Sequence, residues 1–208
     1  MNLAVVYSLI GYLSGSILYA DVFAKLFKKD IYKDSRDKNP GTANAFQFGG
    51  FRCGLCTLIC ELLKGFLPVY CYVNYVHRTG QLQESAIWLA TVCAAPVLGH
   101  IFPVFYGFNG GKGIAATFGS LLGLFPEYKP LAAFIIFFIG FSLVLRITPH
   151  FYRTIATYLC TALYLLVLGI RDGNTIGFGF CIITVFVCFK MHFSKEEKEK
   201  MQIHLLWK

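Results

Sequence analysis

Apolar residues in this chain come in blocks, and the blocks leave room for little else. Bounded by charges and by Gly/Pro clusters, they lie near residues 3–27, 53–76, 85–106, 114–126, 130–146, 154–170 and 174–190. A bilayer-crossing helix takes about 20 predominantly apolar residues, so seven such helices would use about 140 of the 208 residues. What remains is too short for a soluble catalytic domain or a receptor ectodomain. The expected fold class is an all-α polytopic membrane protein of about seven transmembrane helices, forming one integral-membrane domain over 1–208. The block at 114–126 is short and glycine-rich, and is expected to be tilted or partly re-entrant. Composition agrees: 56% of residues are hydrophobic and 14% charged, against roughly 45–50% and 25% in soluble domains, which excludes intrinsic disorder.

The net charge of +8 carries its information in its placement. Fourteen of the nineteen basic residues fall in the first, third and fifth loops and the C-terminal tail. Only Arg78, Lys129 and Arg171 lie opposite, while Lys25 and Lys64 sit within spans. By the positive-inside rule the N-terminus is outside, and those loops and the C-terminus are cytoplasmic. Charges that flank spans do not make a basic face for nucleic acid. The first apolar run has no basic stretch before it and is expected to be a span, not a cleaved leader. Cys53, Cys56 and Cys60 share one helical face without a His or carboxylate cluster, so they read as small packing residues, with no metal site and no disulfide framework.

Two polar, glycine-rich loops fall on the same, cytoplasmic side. One runs from Asn39 to Gly50 and the other from Gly99 to Thr117. Glycine allows positive φ and lets successive N–H groups converge on an anion. The stretch Gly110–Gly113 also opens a helix, whose N-terminus adds partial positive charge, and Lys112 adds a full one. Such a loop suits a phosphate-bearing ligand. It is not a Walker A loop: three residues separate Gly107 from Gly111, and Gly113, not Ser or Thr, follows Lys112. A tight turn that leaves Lys112 among lipid headgroups is the other reading of the same residues.

Gly99-His100-Ile101-Phe102-Pro103-Val104-Phe105 followed by Gly110-Gly111-Lys112-Gly113 closely resembles the second motif of the PlsY family, the bacterial acyl-phosphate:glycerol-3-phosphate acyltransferases. Asn39-Pro40-Gly41 with Asn44 and Gly49-Gly50 resembles part of its first motif. Gly15-Ser16-Ile17 with Lys25, and Leu63-Lys64-Gly65 with Pro68, resemble its first span and the stretch after the first motif. The resemblance implies transfer of a fatty acyl group from acyl phosphate to the 1-hydroxyl of glycerol 3-phosphate, giving lysophosphatidic acid at the start of phospholipid synthesis. It also implies no cofactor or metal, a place in the cell membrane among membrane lipids, and a site open to the cytoplasm.

On that resemblance Lys112 and His100 are the candidate catalytic residues, although a lone histidine at a span end is more often a structural hydrogen-bonder than a base. Asn39, Gly41, Thr42, Asn44, Gly110, Gly111, Gly113 and Lys64 are the candidate phosphate-binding set. The chain departs from the family pattern as a divergent member would. Asp37 and Lys38 precede Asn39, Thr42-Ala43 is in swapped order, and Gln47 stands where the family has Arg. Asp37 would repel a phosphate unless Arg36 or Lys38 offsets it. Thr148 with Pro149 is the nearest match to the third motif, and His192 or Ser194 to the closing His-x-x-Asn.

Glu61 and Lys64, at i and i+3, are expected to pair at membrane depth, with substrate contact by Lys64 the bolder reading. Asp21 and Lys25 are read as a second pair, and 195–200 as a charged surface helix. Beside the acyltransferase reading stands another: a catalytically impaired or substrate-shifted paralogue that binds lipid phosphates or regulates a true acyltransferase.

Overall fold

A computed structural model describes residues 2–33, 35, 37–80, 86–172, 176–193 and 200–205. The chain is helical nearly throughout: α1 (Leu3–Gly15), α2 (Tyr19–Leu26), α3 (Thr42–Gly49), α4 (Phe51–Thr79), α5 (Ala86–Ile101), α6 (Ile114–Leu122), α7 (Lys129–Ile139), α8 (His150–Asp172) and α9 (Ile176–His192). A 3₁₀ turn (Val104–Tyr106) follows α5, and a π turn (Gly140–Val144) extends α7. Two-residue strands β1 (Ile147–Thr148) and β2 (Gln202–Ile203) pair antiparallel. Arg36, Ser194 and the run 195–199 lie outside the described residues.

Polarity is arranged for lipid, not water. On α8 the buried stripe includes Thr154, Thr157 and Thr161, while Leu159, Leu163, Val167 and Ile170 are exposed. The three threonine hydroxyls donate to carbonyls four residues back, at 3.0, 2.9 and 2.7 Å. Those bonds remove the cost of burying them. Exposed Leu55, Ile59, Leu63 and Leu67 form a similar outer stripe on α4. Large apolar side chains outside and small polar ones inside are stable only where the surroundings are apolar. With the four span-length segments Leu3–Leu26, Phe51–Thr79, Ile87–Tyr106 and His150–Asp172, this makes a multi-pass membrane protein.

The expected series of seven spans changes in three places. Lys129–Val144 and Ile176–His192 are apolar but shorter. The block at 114–126 yields only the nine residues of α6, about 14 Å of helix against a hydrocarbon core of about 30 Å. Five of those nine residues are buried, so α6 is an internal half-helix. The polar loop after the first span contains a helix of its own, α3.

Glycines let helix backbones touch. A Cβ at Gly119 of α6 would lie 2.1 Å from the Leu62 carbonyl oxygen of α4, and one at Gly99 of α5 equally close to the Tyr12 carbonyl oxygen of α1. Helix association in lipid relies on such close packing.

The first span itself is broken at Ser16–Leu18, and buried charges satisfy the break. Lys64 Nζ donates to the Ile17 carbonyl (2.7 Å), and the Tyr19 N–H donates to Glu61 Oε1 (3.3 Å). The expected Glu61–Lys64 pair is present at 2.9 Å, with both residues almost wholly buried. The Asp21–Lys25 pair is not formed. Asp21 instead accepts a hydrogen bond from the Tyr32 hydroxyl, which ties α2 to the polar loop that follows it.

Two substitutions test the packing. Gly119→Val should lower stability by about 1–3 kcal/mol or more, because the clash is with backbone. Gly140→Ala has open space around its Cβ position and helical φ/ψ, so it should be neutral or gain about 0.5–1 kcal/mol. Thermal unfolding of the detergent-solubilised chain reads both.

Candidate active site

The first polar loop folds around one carboxylate. Asp37 Oδ1 accepts from Ser35 Oγ (3.0 Å), the Asn39 N–H (3.2 Å) and Asn44 Nδ2 (2.9 Å). The Asn44 amide also donates to Ser35 Oγ (2.7 Å) and the Asn39 carbonyl (2.9 Å), pinning the loop to α3. The other oxygen, Oδ2, accepts from Lys112 Nζ at 2.8 Å. Burial opposes ionisation of Asp37, but the hydrogen bonds from Lys112 and Asn44, the Lys112 charge and the Asn39 N–H outweigh it and hold the carboxyl at about 2. A counter-ion thus comes from Lys112, 75 residues away in sequence; of the two nearer cations expected to offset Asp37, Lys38 forms no ion pair with it and Arg36 lies outside the described residues.

The second loop is built on the end of α5. The Gly110 N–H donates to the Ile101 carbonyl (3.2 Å) and the Gly111 N–H to the His100 carbonyl (3.1 Å). These two donors, read from sequence as phosphate ligands, are spent on closing the helix. Their glycine identity serves close approach instead. A Cβ at 110 would meet the His100 carbonyl oxygen at 1.9 Å, and one at 111 the His100 Nε2 at 2.2 Å. Gly113 has φ +80°, which turns the chain into α6. Its carbonyl accepts from Thr117 Oγ1 (2.9 Å), which in turn accepts from the Tyr158 hydroxyl of α8 (2.8 Å).

His100 is buried beneath this loop. Its Nδ1 lies 2.9 Å from both Lys64 Nζ and Glu61 Oε2. The Lys64 contact has hydrogen-bond geometry, while Glu61 Oε2 receives no aligned donor.

Both loops and the start of α8 surround a cavity of about 890 Å³. Its lining includes the polar residues Asp37, Asn39, Thr42, Lys112 and His150 and the apolar residues Leu58, Leu62, Ile114, Phe118 and Phe138. Gly41, Asn44, Gln47, Glu61, His100 and Gly113 also face it. Thr42 Oγ1 is buried without a hydrogen-bond partner among the described residues. The α6 N-terminus, with Gly113, Ile114 and Ala115, opens on the same space, so first-turn N–H groups of a helix lie at the cavity wall. Among the described residues no group of three His, Cys, Asp or Glu side chains is placed to hold a metal.

Some sequence candidates are not gathered here. Lys64 does not line the cavity, because its ammonium is turned to the Ile17 carbonyl, Glu61 and His100. The expected ion pair of Lys64 is formed, and its ammonium is not among the groups that face the cavity. Thr148 is on β1 opposite Gln202, next to the lining residue Pro149. His192 is exposed at the end of α9, its ring against Phe193. Conversely, His150 lines the cavity and was missed. The signal available was a histidine three residues before Arg153, directly after the Thr148-Pro149 match.

Acid unfolding tests the Asp37 junction. A carboxyl held at about 2, against about 3.9 in the unfolded chain, contributes stability that is complete above about pH 4. That contribution is lost as pH falls towards about 2. Asp37→Asn should flatten this part of the stability–pH curve, read by unfolding in detergent across the acid range.

The sequence model of the family described as glycerol-3-phosphate acyltransferase matches residues 5–199. A glycerol-3-phosphate acyltransferase of Mycoplasma pneumoniae is 36% identical over 174 residues, covering 79% of this chain and 70% of that protein. One from Escherichia coli K12 is 40% identical over 113 residues, so the chain aligns with about half of that relative's length, 52%. Two crystal structures of PlsY, an integral membrane glycerol 3-phosphate acyltransferase, are similar in fold. The glycerol 3-phosphate form has a TM-score of 0.73 at 25% identity, covering 92% of this chain and 89% of that one. The lysophosphatidic acid form has a TM-score of 0.67 at 26% identity, covering 91% and 88%.

Proposed function

The chain belongs to the glycerol-3-phosphate acyltransferase family, and from that premise we propose that it transfers a fatty acyl group from acyl phosphate to the 1-hydroxyl of glycerol 3-phosphate. The supporting observation is that Lys112, the α6 N-terminus and the Asn39–Asn44 loop meet at one cavity that Leu58, Leu62, Phe118 and Phe138 also line. The polar residues suit phosphate and the apolar residues an acyl chain.

An acyl phosphate is already activated, so the reaction needs no protein nucleophile. The glycerol hydroxyl oxygen bonds to the acyl carbon, the acyl–phosphate C–O bond breaks, and the hydroxyl proton leaves on a phosphate oxygen. The protein's contribution is alignment of two anionic substrates and donors for the developing negative charge. In this reading Lys112 and the first turn of α6 hold one phosphate, and a substrate phosphate displaces the Asp37 carboxylate from the ammonium. Thr42 Oγ1 offers an uncommitted hydroxyl beside it. Asn44 keeps the loop in shape instead of binding directly. His100 supports the Gly110–Lys112 turn from below.

The charge asymmetry of the loops supports a site facing the cytoplasm of the cell membrane, with the N-terminus outside. The second reading, a lipid-phosphate binder or regulator without turnover, draws on Asp37, which matches the Lys112 charge, and on Gln47, which brings none.

Purified protein in detergent with palmitoyl phosphate and glycerol 3-phosphate separates the two readings. Phosphate release should exceed that of Lys112→Ala by about 10²–10³-fold, and equal rates would overturn the enzyme reading. Gln47 is exposed but lines the cavity. Gln47→Arg should therefore lower the KM for a phosphate substrate, and an unchanged KM would place residue 47 outside the phosphate site.

A further inference from the structure

Two phosphates in one cavity require more positive donors than the two glycine-rich loops supply. Lys112 is opposed by Asp37 at 2.8 Å, Lys64 is turned to Glu61 and away from the cavity, and Gln47, on the cavity wall, carries no charge. Among the described residues the remaining basic side chain on the cavity wall, apart from His100 anchored on Lys64, is His150, at the first turn of α8.

Its hydrogen bonds settle which ring nitrogen carries the proton. Arg153 Nη2 lies 2.7 Å from His150 Nδ1. A guanidinium only donates, so Nδ1 accepts and the proton is on Nε2. The second contact agrees. Thr154 Oγ1 already donates to the His150 carbonyl (3.0 Å), so towards Nε2, 3.3 Å away, it acts as acceptor. Among the described residues the Nε2–H donor thus has a single, long contact that a better acceptor can replace. Arg153 meanwhile sets its cationic head against Nδ1 of the same ring.

We propose that His150 is a substrate-binding residue for this chain, donating from Nε2–H to a substrate phosphate, with Arg153 as the positioning residue that fixes the tautomer and brings the positive charge absent at Gln47. This rests on the acyltransferase reading above. The phosphate concerned belongs either to glycerol 3-phosphate or to the acyl phosphate, and the chemistry of recognition is the same for both.

The test is steady-state kinetics with each substrate varied in turn. His150→Ala should raise the KM for one of the two phosphates by about tenfold, the loss of one hydrogen bond to a charged group, with kcat and the other KM little changed. The substrate affected identifies the phosphate. His150→Gln keeps an N–H donor and should restore most of the loss. Arg153→Gln should raise the same KM, and Arg153→Lys should recover part of it. His77→Ala, on the exposed end of α4, should behave as wild type.

Stabilisation of the detergent-solubilised chain by glycerol 3-phosphate or inorganic phosphate gives a readout without turnover, and melting without ligand reports folding. An active wild type whose His150 variants keep both KM values overturns this proposal alone, as does a matching fall in kcat in every folded variant. A wild type that neither turns over nor is stabilised by either anion overturns the acyltransferase reading and this proposal together.

Discussion

The buried ammonium of Lys64 joins parts of the molecule that are otherwise held by apolar packing. It caps the Ile17 carbonyl exposed by the break between α1 and α2, pairs with Glu61 one turn earlier on α4, and supports His100 at the end of α5. Within a membrane, an unpaired backbone carbonyl and an unpaired charge each carry a high cost, and here each satisfies the other. The consequence reaches the cavity. The His100 carbonyl accepts from the Gly111 N–H and its ring lies against Gly111, while Gly110 donates to Ile101, and those glycines lead into Lys112. A residue without access to the cavity therefore sets the position of the lysine that faces it.

Asp37 is the complementary junction on the other side. One oxygen gathers Ser35, Asn39 and Asn44, and the second takes Lys112. The carboxylate thereby joins the two glycine-rich loops and occupies the kind of donor set that a phosphate would engage. This accounts for how the chain tolerates an acid where an anionic substrate is expected: the negative charge is matched within the protein, and α6, Thr42 and the start of α8 surround it with further donors.

Much of this was legible without coordinates. Sparse charge and blocks of apolar residues showed helices in a membrane, and the Gly110–Gly113 run with Lys112 marked the loop at the cavity. The i, i+3 spacing of Glu61 and Lys64 showed their pairing, because that distance is local to one helix turn. Less was legible wherever a group had a choice of distant partners. Asp21 turned to Tyr32 in place of Lys25, and Asp37 took Lys112, 75 residues away, as an ion-pair partner. The N–H groups of Gly110 and Gly111 suited an anion as well as the α5 carbonyls until the approach of His100 decided between them. His150 gave no periodic signal, since its role depends on α8 starting at the cavity wall.

What the sequence determined by itself was the solvent of this protein, its helical class and where its two glycine-rich loops lie, since hydropathy, glycine content and motif spacing are properties of contiguous stretches. The tertiary structure alone decided which donors remain available, and that α6 is an internal half-helix and not a span. Those outcomes depend on which carbonyls, carboxylates and helix faces arrive within 3 Å or so of each other, and long-range packing, not local order along the chain, controls that arrival.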